Sequence, residues 1–191
     1  MIAIFVVGQV GWFLVFERWW FFHKQKSPLQ EILTQANSNP VELEKKLRAD
    51  SRLRGVFAEM SQAILQSKTN GKDAMVREAR EVLRGSGNQL NRHLGTIAVL
   101  ATSAPLLGLA GTVNGIMGTF AVITAYGMGN PAMLSGGIAE ALMVTEAGLV
   151  VAFPLLLLHN HLQNRADHIE AQCKAGATVL IRVFSSPEVR A

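Results

Sequence analysis

Two threonines and two carboxylates, set in apolar segments long enough to be helices, are the residues of this chain best suited to chemistry. Thr112 lies in SAPLLGLAGTVNGIMGTF, residues 103–120, and Glu140, Thr145 and Glu146 lie in a second apolar segment. An acid facing lipid alone costs roughly 3 kcal/mol or more, so intramembrane carboxylates tend to mark ion or proton paths. The apolar segments contain no Lys or Arg to pair with Glu140. It must therefore be protonated, sit in a wet cavity or meet a partner; a neutral carboxyl that only bonds a neighbouring helix is the plainer alternative. A threonine hydroxyl donates and accepts, so it can hold water or pass a proton. It can equally bond the carbonyl three or four residues back in its own helix.

The elements that must position these residues are membrane spans. Of 191 residues, 49% are hydrophobic and 17% charged, against about a quarter charged in an ordinary soluble domain. Leu94–Ala125 carries no charge, and Met133–His159 carries only Glu140 and Glu146. Both exceed the ~20 residues that cross a bilayer. A third apolar stretch, Met1–Phe16, precedes Glu17, Arg18 and the aromatic group Trp19–Phe22. A secretory signal would carry its charge before the apolar stretch and end at small residues. The order here is reversed, and Trp suits an interfacial belt, so a first span, slightly short or trimmed at its start, is expected.

Of the 18 Lys and Arg, fourteen lie between Arg18 and Arg92 and four after His159, with none in the turn Tyr126–Ala132. The positive-inside rule puts the middle region and the tail in the cytoplasm and the N-terminus on the opposite side. The net charge of +4 is then mainly a topology signal. Its basic residues are interleaved with acids on helical segments, which is no nucleic-acid footprint.

The expected fold is all-α: an integral membrane protein with three transmembrane helices, a helical cytoplasmic loop and a helical cytoplasmic tail. The expected boundaries are 1–22 for the first span, 23–93 for the cytoplasmic region, 94–125 for the second span and 126–133 for the turn. The third span is 134–160 and the tail 161–191. In the loop, Ser27-Pro28 starts a short helix through Asn37, and Asn39-Pro40 opens another. Leu43, Leu47, Phe57, Ile64 and Leu65 form its apolar positions. After the turn Thr69-Asn70-Gly71, a helix runs from Lys72 toward Arg84, and Gly85-Ser86-Gly87 either interrupts it or is absorbed into a long helix. In the tail, Leu162, Ile169, Gly176 and Val183 recur every seven residues, as do Ala166, Cys173 and Leu180. That repeat fits either helix packing in an oligomer or packing on the chain's own helices.

Asn130 and Pro131 are expected to cap and open the third helix. In the resulting antiparallel hairpin Thr112 and Thr145 are equally far from the turn, about 24 Å of helix at 1.5 Å per residue. Pro105 and Pro154 share another level, Glu146 pairs with Gly111, and Glu140 pairs with Met117, nearer the turn. Gly108, Gly111, Gly115 and Gly118 on one helix, and Gly137, Ala141, Gly148 and Ala152 on the other, form small faces for close helix contact in lipid. The glycines lack the Lys-Ser/Thr of a phosphate loop. No nucleophile–base arrangement and no Cys/His zinc spacing stands out, so neither an enzyme nor a cofactor or metal is expected.

These strings resemble the ExbB/TolQ/MotA family of proton-channel proteins over about Leu94–Asn160. Ala104-Pro105-Leu106-Leu107-Gly108-Leu109 with Gly111-Thr112-Val113 is similar to the family's APLLGLLGTV. Gly137-Ile138-Ala139-Glu140-Ala141-Leu142 and Gly148–Pro154 are similar to its GIAEAL and GLxxAIP strings. Three spans, an outside N-terminus and a large first cytoplasmic loop resemble the ExbB and TolQ branch. The resemblance implies a bacterial inner-membrane pentamer around single helices of an ExbD- or TolR-like partner. Thr112, Glu140 and Thr145 would line the proton route, an aspartate of the partner would take and release the proton, and the work would reach a TonB- or TolA-like protein. Glu146 departs from the pattern, where a small apolar residue is usual, and adds either a second titratable site or a bond to a neighbouring subunit; the short N-terminus is a second departure.

The expected function is thus a proton-conducting subunit of an energy-transducing motor. A non-conducting membrane scaffold, whose polar groups only join helices, is the alternative. A solute transporter ranks below both, because no broken helix pair or substrate charge is visible.

Overall fold

The computed structural model describes residues 1–24, 47, 55–127 and 131–185, with side chains in the last stretch from Leu134. Every described element is helical: α1 (Ile2–Lys24), α2 (Val56–Gln66), a short 3-10 turn (Lys68–Asn70), α3 (Lys72–Asn91), α4 (Leu94–Tyr126) and α5 (Pro131–Ser185). α1, α4 and α5 are each long and apolar enough to cross a membrane. The short helix expected over residues 27–37, the start of the next one at Asn39-Pro40, Leu43 and the Asn130 cap lie outside the described residues; of the helix expected from there to about Ser67, the described part is α2, which begins at Val56 after Gly55 with a φ of 95°.

The chain divides into two compact units. One consists of Met1–Trp19 and His93–Leu162, the other of Trp20–Arg92 and Gln163–Ala191. α5 is one helix that passes from the first to the second without a break at 160/161.

In the first unit small residues face inward and large ones outward. Ala101, Ala104, Ala141 and Ala152 are buried, while Leu106, Val113, Phe120, Val150 and Phe153 are exposed. With hydrocarbon outside, apolar side chains gain little by turning inward, and close backbone approach supplies the packing. α1 joins through Gly8, which abuts Val151, and Gly11, which abuts Leu155; the sequence reading had not singled out this pair. Pro105 and Pro154 lie inside α4 and α5, and each removes an N–H that would have met the carbonyl four residues back. α4 starts after His93, whose φ of 64° is left-handed, a sparsely used region for a side-chain-bearing residue. Its Nδ1 lies 3.1 Å from Glu17 Oε2, tying this break to α1.

The second unit has a conventional apolar core in which Met60, Ile64, Met75, Leu90, Leu180 and Phe184 are fully buried. α3 runs through Gly85-Ser86-Gly87 to Asn91, so the glycines are absorbed and the break falls at Arg92–His93. Ala166, Cys173 and Leu180 are all buried within the single chain; in the other row Leu162 and Gly176 are buried and Ile169 and Val183 half-buried. The second seven-residue row therefore packs on the chain's own helices. Burial, followed by the nearby charge of Glu170, pushes the Cys173 thiol up to about 11 from its ordinary 9.0. That rise leaves about 100-fold less thiolate at pH 8, and the thiolate is the reactive form. Maleimide should therefore label Cys173 in the intact protein at least about 100-fold more slowly than in denaturant, as mass spectrometry over time would show.

Candidate functional site

The site is built at the crossing of α4 and the first half of α5. The two helices touch through a ladder of small residues. A Cβ added at Gly148 would lie 2.7 Å from the Ala104 carbonyl oxygen and 3.2 Å from Gly108 Cα. One added at Gly108 would lie 3.1 Å from Thr145 Cα. Toward the turn the ladder continues with Gly111 against Val144, Gly115 against Ala141 and Gly137 against the Thr119 hydroxyl. These partners step in opposite directions along the two helices, as an antiparallel hairpin requires.

Backbone contact at Gly108 lets two hydroxyls meet. Thr112 Oγ1 and Thr145 Oγ1 are 2.9 Å apart. Thr145 also donates to the Gly108 carbonyl at 3.0 Å. Thr112 donates to the carbonyls of Leu109 at 2.9 Å and Gly108 at 3.3 Å. Each hydroxyl has one proton and two lone pairs, so the two protons have more acceptors than they can fill at once. Rotation about the C–O bonds moves a proton between acceptors without moving a heavy atom.

Glu140 lies nearer the turn. It lines a groove of about 510 Å³ between α4 and α5, together with Asn114, Gly118 and Thr119. Thr119 is buried and donates to the Gly115 carbonyl at 3.0 Å. Glu140 is exposed in the single chain and has no hydrogen-bond or ionic partner among the described residues. Because Gly115 meets Ala141, Glu140 sits level with about Ile116, one residue from the expected Met117. Glu146 does not line the groove. It is exposed on another face of α5, in line with the exposed Met143, Val150, Phe153 and Leu157. The structure thus brings Thr112 and Thr145 together, leaves Glu140 about 7.5 Å of helix rise from Thr145, and turns Glu146 elsewhere.

Of the glycines singled out for packing, Gly118 stands apart: a Cβ there would meet no atom within 4 Å. Asn114 and Thr119 line the groove but were missed in the sequence. An amide in a charge-free span was the available signal. Among the described residues no group of three or more His, Cys, Asp or Glu could hold a metal ion. A second cavity of about 590 Å³, lined by α3 and the end of α5 and rimmed by Arg80, Arg84 and Lys174, contains none of the expected site residues.

The sequence profile of the MotA/TolQ/ExbB proton channel family matches residues 27–175, well over half of the chain. The protein belongs to the MotA/TolQ/ExbB proton channel family. Among this family's curated members, the chain is 34% identical over 119 residues to the biopolymer transport protein ExbB of Pseudomonas putida, covering 62% of this chain and 36% of that protein. It is 29% identical over 170 residues to ExbB of Salmonella typhimurium, covering 84% and 70%. It is 25% identical over 183 residues to the Tol-Pal system protein TolQ of Pseudomonas aeruginosa, covering 87% and 78%. Membership makes the chain a membrane protein of a channel family and not of a family of enzymes, and the chain spans only 36% of the Pseudomonas putida ExbB that it matches.

Proposed function

We propose that this protein is the proton-conducting subunit of an inner-membrane motor that couples the proton motive force to work on a TonB- or TolA-like protein. Its N-terminus is periplasmic and its C-terminus cytoplasmic. Residues 1–22, 94–125 and 134–160 are its spans, joined by the turn 126–133, and 23–93 and 161–191 its cytoplasmic parts. Five copies surround the single helices of an ExbD- or TolR-like partner.

The observation that carries this reading is the threonine pair, 2.9 Å apart, on the same helix crossing as a groove lined by an unpaired carboxylate. The hydroxyls pass a proton by rotation, and the carboxylate binds and releases one. The rise of about 7.5 Å between Thr145 and Glu140 is too long for a single hydrogen bond. Water or a partner's side chain must bridge it, which agrees with a partner aspartate between the two sites. Each charge moved through 100 mV supplies about 2.3 kcal/mol, so a few protons drive a conformational step. Glu146, in an exposed apolar line, serves a contact with a neighbouring chain.

Thr145→Val tests the reading against the scaffold alternative. Valine keeps the shape and removes the hydroxyl. Interhelical hydrogen bonds in membranes average about 0.6 kcal/mol, so the complex should still assemble. Proton-driven activity should fall at least tenfold, measured as proton flux through the purified complex in liposomes. Loss of assembly in the variant, with no proton flux through the wild-type complex above that of protein-free liposomes, supports the scaffold instead.

A further inference from the structure

The groove beside Glu140 has a second polar wall. Asn114 lines it from α4, about two residues, or ~3 Å of rise, from the level of Glu140. The amide is exposed and makes no hydrogen bond among the described residues. Gly118, one turn along the same helix, also lines the groove, and a Cβ at that position would enter open space. Thr119 closes the inner side. Its proton is committed to the Gly115 carbonyl, so what it offers the groove is lone pairs. Glycine in mid-helix is the least favourable residue apart from proline. Gly108, Gly111, Gly115, Gly137 and Gly148 are needed because protein atoms occupy the space beside them. Gly118 has no such neighbour in the chain.

A polar group in hydrocarbon with no partner costs several kcal/mol, so an unpaired amide and an unpaired acid on one groove are best met by water. An open groove of this volume, in which Asn114, Thr119 and Glu140 supply polar groups beside Met1, Val122 and Val144, is roomy enough to hold several molecules.

We infer that this groove is a water-holding slot in which Asn114 positions the water that exchanges protons with Glu140, and that Gly118 keeps the slot open. The inference rests on the proton-conducting reading. Asn114 is a positioning residue: its amide donates to and accepts from the same water, holding it opposite the carboxyl. A larger side chain at position 118 occupies the water's place without touching the helix crossing.

The test uses the full chain in its complex with the single-span partner, reconstituted in liposomes, with Glu140→Gln measured in parallel. Asn114→Leu, of similar size, and Gly118→Leu should each lower proton flux at least tenfold with assembly unchanged, and Asn114→Ser should restore most of what Asn114→Leu loses. Water access is read separately from flux. Asn114→Cys should react with a charged thiosulfonate at least tenfold faster than Phe120→Cys, which faces outward; the buried Cys173 gives little background. Wild-type flux in Asn114→Leu and Gly118→Leu, with Glu140→Gln inactive, overturns the slot while the conducting role stands. Equal labelling at 114 and 120 overturns it as well. An active Glu140→Gln removes the proton-carrying role of Glu140 and the slot together.

Discussion

Glu140→Gln should bring proton-driven work to background, a loss of at least about 100-fold, while the protein accumulates and assembles as before. Glutamine matches glutamate in shape and still donates and accepts hydrogen bonds, so only the ability to titrate is removed. Glu140 has no partner among the described residues to lose, and an ionised acid near lipid costs roughly 3 kcal/mol or more. The amide should therefore leave thermal stability equal or higher. That sign separates function from structure: a residue kept to join helices destabilises when replaced, whereas one kept to carry a proton does not. Flux in liposomes and melting in detergent, on the same preparation, measure both. Glu146→Gln is the internal comparison. It lies off the groove, so it should alter assembly more than flux. The opposite result, an inactive Glu146→Gln and an active Glu140→Gln, would exchange their roles.

Much of this site is visible in one dimension because a hairpin of two spans is nearly a one-dimensional object. A turn expected near Met128 and Gly129 and a constant rise fix which residues share a level, and this brings Thr112 to Thr145 and Glu140 to within one residue of its facing level. The small faces follow from the same register, since Gly108, Gly111 and Gly115 fall opposite Thr145, Val144 and Ala141. Rise does not give rotation about the helix axis. Gly118 shares a spacing with the packing glycines, yet it points into open space because it lies off the contact ridge. Asn114 escaped notice for a related reason: charge is what a hydropathy scan detects, and an amide among glycines barely changes the sum. In the tail, periodicity marked Ala166, Cys173 and Leu180 as a stripe, but a stripe does not name its partner; only burial within the chain assigns it to α2 and α3's unit. The α3–α4 break was hidden too. Gly85-Ser86-Gly87 looks weaker than Arg92-His93, yet the glycines continue the helix and His93 adopts the left-handed backbone.

Gly148→Val should prevent the protein from accumulating in the membrane, or leave it unassembled. A first carbon at this position already lies 2.7 Å from the Ala104 carbonyl oxygen and 3.2 Å from Gly108 Cα. Both neighbours are backbone, so no rotamer change relieves the overlap, and valine adds two more methyl groups. Overpacking commonly costs about 1–3 kcal/mol where side chains can yield, and here the helices themselves must part. Separation also breaks the Thr145–Gly108 and Thr112–Thr145 bonds, so the structural lesion abolishes the candidate site. Gly136→Ala is the control for removing a helical glycine, since nothing lies within 4 Å of a Cβ there, and helix propensity favours alanine by up to about 1 kcal/mol. Protein yield and size-exclusion profile in detergent distinguish the two. Gly118→Leu completes the comparison, with a large side chain, an undisturbed crossing and, if water fills the groove, an assembled complex that does not conduct. A glycine that makes room for backbone and one that makes room for water then give different losses, the first of the protein and the second of its flux.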